Sequence, residues 1–359
     1  MTIPLIQAKN LIWEIKGNTI IDVESFRIHE GEHAALIGPN GSGKSSLFKL
    51  LAYLQKPTKG EINFNALSRN KSLIDKRREM AVVFQEPLLL NMTVYDNVAY
   101  GLKLRKVKNI KGEVENWLER LKILHLKSRY PKNLSGGEAQ RVSIARAMAL
   151  KPKILFLDEP FTALDAPTKA QLLEEMNILI KQTSMTSLFI THEFSEIPFL
   201  ADKVYAMSKG RIVQQGSLED IFYRPINEEV ADLVGADNQY EVEIAEKVSQ
   251  DNYIVMEKNS LLKIRVSIKN TILLPGPRVK ALIRSEDVEL GSGDVNSFQG
   301  YIKRIMPFGL HYKLTLDAGI EISLIISKQQ FLEINPKTKD RISINIKPNR
   351  IHLIESKDM

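Results

Sequence analysis

Gly38-Pro39-Asn40-Gly41-Ser42-Gly43-Lys44-Ser45 fits the pattern G-x-x-x-x-G-K-[ST]. An apolar run, Ala34-Ala35-Leu36-Ile37, precedes it, and a helix-like run, Ser45-Ser46-Leu47-Phe48-Lys49-Leu50-Leu51, follows it. Strand, glycine-rich turn and helix in that order make a phosphate cradle. Gly38, Gly41 and Gly43 let successive backbone N–H groups around Asn40 and Ser42 turn toward one anion, and the helix opening near Ser46 presents its positive end to the same place. In that arrangement Lys44 reaches the β/γ-phosphates of a nucleoside triphosphate and the Ser45 hydroxyl ligates Mg²⁺.

Apolar runs recur outward from this stretch. Met80-Ala81-Val82-Val83-Phe84, Ile154-Leu155-Phe156-Leu157 and Ser187-Leu188-Phe189-Ile190-Thr191 have the length and composition of buried strands. Helical patterns separate them, which predicts an α/β layered domain with a largely parallel sheet over residues 1–235. Residues 88–150 are mostly helical in pattern and predict a helical subdomain. Thr168-Lys169-Ala170-Gln171 matches a capping box, with Leu172, Met176, Leu179 and Ile180 following on one helix face. The strand Ile154–Leu157 ends in Asp158-Glu159, an acidic pair at the edge where such sheets bind ligands. Asp158 suits the Mg²⁺ shell, and Glu159 suits polarisation of an attacking water. Leu134-Ser135-Gly136-Gly137-Glu138-Ala139-Gln140-Arg141 is a second glycine-rich turn opening a helix, hence a second anion-binding terminus. One complete phosphate site and one further half-site suggest closure across a dimer.

These elements together resemble the nucleotide-binding subunit of ATP-binding-cassette transporters, and Leu134–Arg141 is similar to that family's signature motif. The resemblance implies a P-loop NTPase (Walker A) cassette whose cofactors are ATP and Mg²⁺. It places Gln85 as the Q-loop glutamine, which senses Mg²⁺ and water, and Asp165, in Ala163-Leu164-Asp165, in the D-loop that crosses the dimer interface. It makes His192 the switch histidine at the γ-phosphate. Trp13 falls where the family stacks an aromatic ring on adenine, with Ile15 as the alternative if the hairpin register shifts by two. The implied cycle joins two copies head to tail. ATP and Mg²⁺ lie on Lys44, Ser45, Gln85 and Asp158 of one copy, capped by Ser135 and Gly137 of the other, while Glu159 and His192 set up hydrolysis.

After Gly235 period-two alternation takes over: Tyr240–Lys247, Tyr253–Glu257, Leu262–Ile268, Arg278–Ile283. It predicts an antiparallel, all-β, OB-like barrel domain over 236–359. A repeat of about 60 residues runs through it. Arg278–Arg284 with Val288–Leu290 is echoed by Arg341–Lys347 with Ile351–Leu353, and Tyr253–Met256 by Tyr312–Thr315. Two lobes, 237–290 and 295–356, are expected, with Gly291-Ser292-Gly293-Asp294 as the seam. This tail resembles the regulatory (TOBE-type) domain of binding-protein-dependent importer ATPases. Its Leu314–Gly319 and Ile344–Ile354 segments look most like the molybdate and tungstate version. The same architecture serves sulfate, sugar, polyamine and iron importers.

The remaining composition sets bounds. No cysteine among 359 residues excludes disulfides, thiolate metal sites and cysteine nucleophiles. The longest charge-free stretch, about eleven residues around His33–Gly43, is too short to span a bilayer, and Met1–Ile6 lacks the pattern of a signal peptide. The resemblance therefore implies a peripheral protein at the cytoplasmic membrane face, with two transmembrane permease subunits and, indirectly, an extracytoplasmic solute-binding protein as partners. Leu88, Leu89 and Met92, after Gln85, are candidate permease contacts or core. A net charge of +7 permits a nucleic-acid partner, but Lys103, Arg105, Lys106, Lys108 and Lys111 are more simply a solvated helix face, and none is expected. A soluble cassette acting on nucleic acid or ribosomes is the alternative from another class.

Overall fold

The computed structural model describes residues 3–65, 71–183, 185–268 and 278–355. The chain folds as two compact units, Met1–Leu218 and Glu219–Met359.

The first unit contains strands β1 (Ile6–Ile15), β2 (Asn18–Ile28), β3 (His33–Ile37), β4 (Lys59–Phe64), β5 (Met80–Val83), β6 (Ile154–Asp158), β7 (Thr186–Ile190), β8 (Lys203–Ser208) and β9 (Arg211–Ser217). Six form one sheet in the order β5-β6-β7-β3-β8-β9, parallel except for the β8/β9 pair. Its central strands are buried on both faces, as their unbroken apolar runs require. The strand register brings the functional loops together. Asp158 lies opposite Ile190, and Ile190 opposite Leu36. The chain therefore leaves β3, β6 and β7 at one level, and Gly38, Glu159 and His192 emerge side by side. A second, three-stranded antiparallel sheet, β2-β1-β4, packs its alternate apolar residues on the same core.

The helices are α1 (Lys44–Leu51), α2 (Leu73–Arg78), α3 (Val94–Leu104), α4 (Ile110–Arg120), α5 (Gly136–Met148), α6 (Ala166–Gln182), α7 (Ile197–Leu200), α8 (Leu218–Tyr223), α9 (Glu228–Leu233) and α10 (Lys328–Ile334). Helices α3, α4 and α5 fall inside the expected 88–150 segment and bury Val98, Leu102, Val114, Trp117, Leu118 and Val142. The capping box expected at Thr168 is absent. Asp165 caps α6, accepting a hydrogen bond from Thr168 N at 3.3 Å, and Pro167 occupies the first turn. Thr168 is thereby inside the helix. The apolar face of Leu172, Met176, Leu179 and Ile180 is buried as read.

The second unit contains α8 past Leu218, α9, α10 and strands β10 (Asn238–Lys247), β11 (Asn252–Glu257), β12 (Lys263–Ser267), β13 (Arg278–Ile283), β14 (Val288–Leu290), β15 (Ser297–Phe308), β16 (His311–Asp317), β17 (Glu321–Ser327), β18 (Arg341–Ile346) and β19 (Ile351–Glu355). The division falls ahead of Gly235 because the intervening segment is tied to the strands. Arg284 donates to Phe222 O at 3.1 Å and Val234 O at 2.9 Å, and His352 Nε2 lies 2.9 Å from Pro225 O. Ala231 and Ala236 pack with Leu282 and Ile354.

The strands form two five-stranded antiparallel sheets, β12-β11-β10-β13-β19 and β17-β16-β15-β18-β14, around a single core. The order matches position for position, so the repeat in the sequence is a repeat in topology. The two halves nevertheless do not each complete their own sheet. The last strand of each is exchanged: β14 pairs with β18, and β19 with β13. The expected lobe end at residue 356 lies outside the described residues.

Candidate active site

The phosphate loop is shaped by what leaves no room for side chains. A Cβ on Gly38 would stand 2.2 Å from Met207 O, and one on Gly43 (φ 101°) 2.9 Å from Ile21 Cδ1. Only glycine fits either place. Ser42 N donates to Pro39 O at 3.1 Å and closes the turn, leaving Asn40 and Gly41 exposed at its tip. Lys44 is buried, and its ammonium donates to Gly38 O at 2.8 Å and Pro39 O at 3.1 Å. Burial lowers its pKa, opposed in part by the charges of Glu159 and Asp158. Two carbonyl dipoles do not neutralise an ammonium, whereas a phosphate does. Ser42 Oγ is likewise buried without a hydrogen-bond partner among the described residues. Both observations fit an anionic group seated in the loop.

Across the level set by the register, Ser45 Oγ lies 3.4 Å from Asp158 Oδ1. Burial, and then the neighbouring Glu159 charge, raise the Asp158 pKa. A divalent cation would relieve that cost. Two hard oxygen donors suit Mg²⁺, which keeps much of its hydration. Among the described residues no group of three or more His, Asp or Glu side chains could cage a metal by itself.

Glu159 stands at φ 45°, in the left-handed region that non-glycine residues seldom adopt. Its N–H donates to Ile190 O at 3.0 Å, which fixes the turn. Its Oε2 reaches His192 Nδ1 at 3.1 Å and Thr162 Oγ1 at 3.4 Å. A carboxylate and an imidazole in contact, next to a buried ammonium, can move a proton from water at an adjoining phosphate.

Gln85 is exposed just past β5, one strand over from Asp158. No hydrogen bond joins it to Ser45 or Asp158 among the described residues. Trp13 pairs with Ile21 across β1/β2, is half-buried against the core, and precedes a bulge. Ile15, the alternative, is 44% exposed. Since Ile21 also underlies Gly43, Trp13 is one strand from the phosphate loop. Ser46 lies half-buried in the first turn of α1.

The second turn is a capping box. Ser135 N donates to Glu138 Oε2 at 2.7 Å, and Glu138 N to Ser135 Oγ at 3.3 Å. A cavity of about 340 Å³ joins Ser135, Gly136 and Gly137 to Leu164, Asp165 and Thr168. No residue of the phosphate loop lines it. Within one chain the second turn thus meets the Asp165 segment and stays apart from Lys44.

Sequence reasoning missed two links from α5 to the Gln85 segment. Gln140 donates to Phe84 O at 3.3 Å, and Arg146 to Pro87 O at 2.9 Å and Leu88 O at 3.0 Å. An arginine inside the largely apolar run Val142–Met148 is the signal that backbone acceptors await it. Leu88 is thereby held at φ 45° with its side chain 56% exposed.

The sequence profile of ABC transporters matches residues 21–162. The molybdate/tungstate import ATP-binding protein WtpC of Pyrococcus horikoshii is 35% identical over 337 residues, covering 92% of this chain and 94% of that protein. The sulfate/thiosulfate import ATP-binding protein CysA of Bradyrhizobium diazoefficiens is 33% identical over 85% of this chain and 87% of its own. Among solved structures, a dimeric ATP-binding cassette in a post-hydrolysis state bound to ADP and Pi superposes with a TM-score of 0.55 at 26% identity, covering 59% of this chain and 98% of that one. With the phosphate loop, the acidic strand end and the signature turn in place, the chain belongs to the ABC transporter family, as an ATP-hydrolysing subunit of importer type.

Proposed function

We propose that this chain powers import of an oxyanion, molybdate or tungstate, as one of two identical motor subunits beneath two transmembrane permease subunits at the cytoplasmic membrane face. An extracytoplasmic binding protein delivers the solute. The observation that carries the chemistry is the Glu159–His192 contact beside the Lys44 ammonium and the Ser45–Asp158 pair. What carries the solute class is 35% identity along 94% of a molybdate/tungstate import protein. The 33% identity to a sulfate/thiosulfate import protein keeps sulfate as the second reading.

In this reading the backbone amides from Gly38 through Ser46 and the Lys44 ammonium bind the nucleotide phosphates, and Trp13 offers its ring to adenine. Ser45, Asp158 and Gln85 would hold Mg²⁺, in part through water, and the ion would supply neutralisation of phosphate charge. Glu159 accepts the proton of the attacking water, and His192 holds Glu159 and the γ-phosphate in line. Ser135, Gly136 and Gly137 of the second copy cap the same phosphate across a two-fold axis, with Asp165 at the interface. Closure and reopening pass to the permease through the Gln85–Leu88 segment that Arg146 grips, where Leu88, Leu89 and Met92 meet a helix of the membrane partner.

The test is reconstitution of the chain with its permease and binding protein. ATP turnover stimulated by molybdate- or tungstate-loaded binding protein supports the reading. Stimulation by sulfate alone transfers it to sulfate, and stimulation by nucleic acid without any permease overturns it.

A further inference from the structure

One ion cluster near His192, in which Glu196 is buried and Glu193 is 42% exposed, takes no part in the chemistry proposed for the site. Lys169, on the second turn of α6, is 13% exposed, and its Nζ lies 2.5 Å from both Glu193 Oε2 and Glu196 Oε1. Glu196 is 3% exposed. Its other oxygen accepts a hydrogen bond from Thr191 Oγ1 at 2.6 Å, and Thr191 Oγ1 accepts one from Glu193 N at 2.9 Å. The residues on either side of His192 are therefore fixed to a single ammonium. The imidazole itself is 44% exposed, so packing alone does not aim it. Burying the Lys169–Glu196 pair is a weak way to gain stability, since apolar residues of similar volume do as well, and the exposed Glu193 adds little. A geometric role explains the cluster better. The opposite side of the same turn serves the other half-site: Lys169 N donates to Asp165 O at 2.9 Å, and a Cβ on Gly137 would stand 2.8 Å from Thr168 Cγ2.

We propose that Lys169 is a positioning residue for ATP hydrolysis: through Glu193, Glu196 and Thr191 it holds His192 against Glu159 and ties that contact to the helix touching the signature turn. The inference rests on the roles given to Glu159 and His192 under Proposed function. The ammonium keeps its charge there. Burial alone would lower its pKa, but the hydrogen bonds and charges of Glu193 and Glu196 outweigh burial and raise it.

The test is a double-mutant cycle on the full-length chain, reading kcat and KM for ATP with Mg²⁺. Lys169→Met is expected to lower kcat by roughly 10- to 50-fold with KM changed by less than about twofold, and Lys169→Arg to restore at least about a third of the parental kcat. In a His192→Ala background Lys169→Met should cost nothing further. Should Lys169→Met fail to fold, Glu196→Gln replaces it in the same cycle, with an expected loss of about fivefold that likewise vanishes beside His192→Ala. A parental kcat for these variants, or a full additional loss in the His192→Ala background, overturns the role of Lys169 alone. A parental rate for His192→Ala overturns the reading of the histidine, and this inference with it.

Discussion

Asn238 and Asn296 make the same three hydrogen bonds from equivalent places in the two halves of the β tail. Asn238 Nδ2 donates to Ser323 O at 2.9 Å and Ile283 O at 3.2 Å, and its Oδ1 accepts from Ser323 N at 2.7 Å. Asn296 Nδ2 donates to Arg265 O at 2.7 Å and Ile346 O at 3.1 Å, and its Oδ1 accepts from Arg265 N at 2.7 Å. Ser323 stands in the second half where Arg265 stands in the first. Each carboxamide pins its own half to a strand of the opposite sheet. Asn238 is 4% exposed, so Asn238→Ala takes this partner from one buried and two part-buried backbone groups. A loss of about 3 kcal/mol in denaturant unfolding of the tail is expected. Asn296 is half-buried, water replaces part of what it supplies, and Asn296→Ala is expected to cost about 1 kcal/mol.

Glu159→Gln keeps the size of the side chain and removes its basicity. Turnover should fall roughly 10²- to 10⁴-fold while ATP still binds. The nucleotide-loaded variant should elute as a dimer in size-exclusion chromatography. Hydrolysis at the parental rate would remove Glu159 from the proton-transfer role.

Gly38→Ala and Gly41→Ala separate steric from conformational demands in the phosphate loop. The Gly38 Cβ would overlap Met207 O at 2.2 Å, and backbone must move to admit it. We expect loss of more than about 3 kcal/mol and no measurable ATP binding. Gly41, at φ 79°, has nothing within 4 Å of its added Cβ. Gly41→Ala should cost about 1 kcal/mol through backbone strain alone. Chemical denaturation of the two variants ranks them.

The tail should loosen in mild acid. Burial holds the His352 imidazole below its ordinary value of 6.5, and the bond to Pro225 O opposes this only in part. The unfolded chain therefore takes up the proton first. The contribution of His352 is complete above pH 6.5 and is lost as pH falls from there through the lowered folded value. Hydrogen–deuterium exchange of residues 351–355 should quicken as pH falls below 6.5, after correction for intrinsic rates. His352→Gln should flatten that response. His33 shifts in the same direction, chiefly by burial, so a whole-chain melt would mix the two units.

What the sequence revealed and what it concealed divide by range. The phosphate loop, the strand ending at Asp158 and the turn at Ser135 are contiguous patterns, and each lies where its own residues indicated. Period-two alternation identified the tail strands but carries no information about which strand pairs with which, so the exchange of β14 and β19 was hidden. The cap of α6 was misread because Thr168-x-x-Gln171 satisfies the local rule. Asp165, three residues earlier, has no Glu or Gln at its own third helical position, yet its carboxylate caps the helix and Pro167 suits the first turn. The Lys169 cluster and the asparagine clamps join residues far apart in the chain and leave no periodic trace.

The exchanged strands also bear on how the protein is made. β13 ends at Ile283, and its outer partner β19 begins only at Ile351, after β14 to β18 have been laid down. As the polypeptide emerges from the ribosome, the sheet begun by β10 must wait with the edge of β13 bare until β19 has been translated. A nascent chain, or one terminated inside the second half of the tail, would expose an unpaired, apolar strand edge. The cassette can form while synthesis continues, but the first sheet of the tail is finished only when β19 arrives. A check that the second half has been made in full is thus built into the topology.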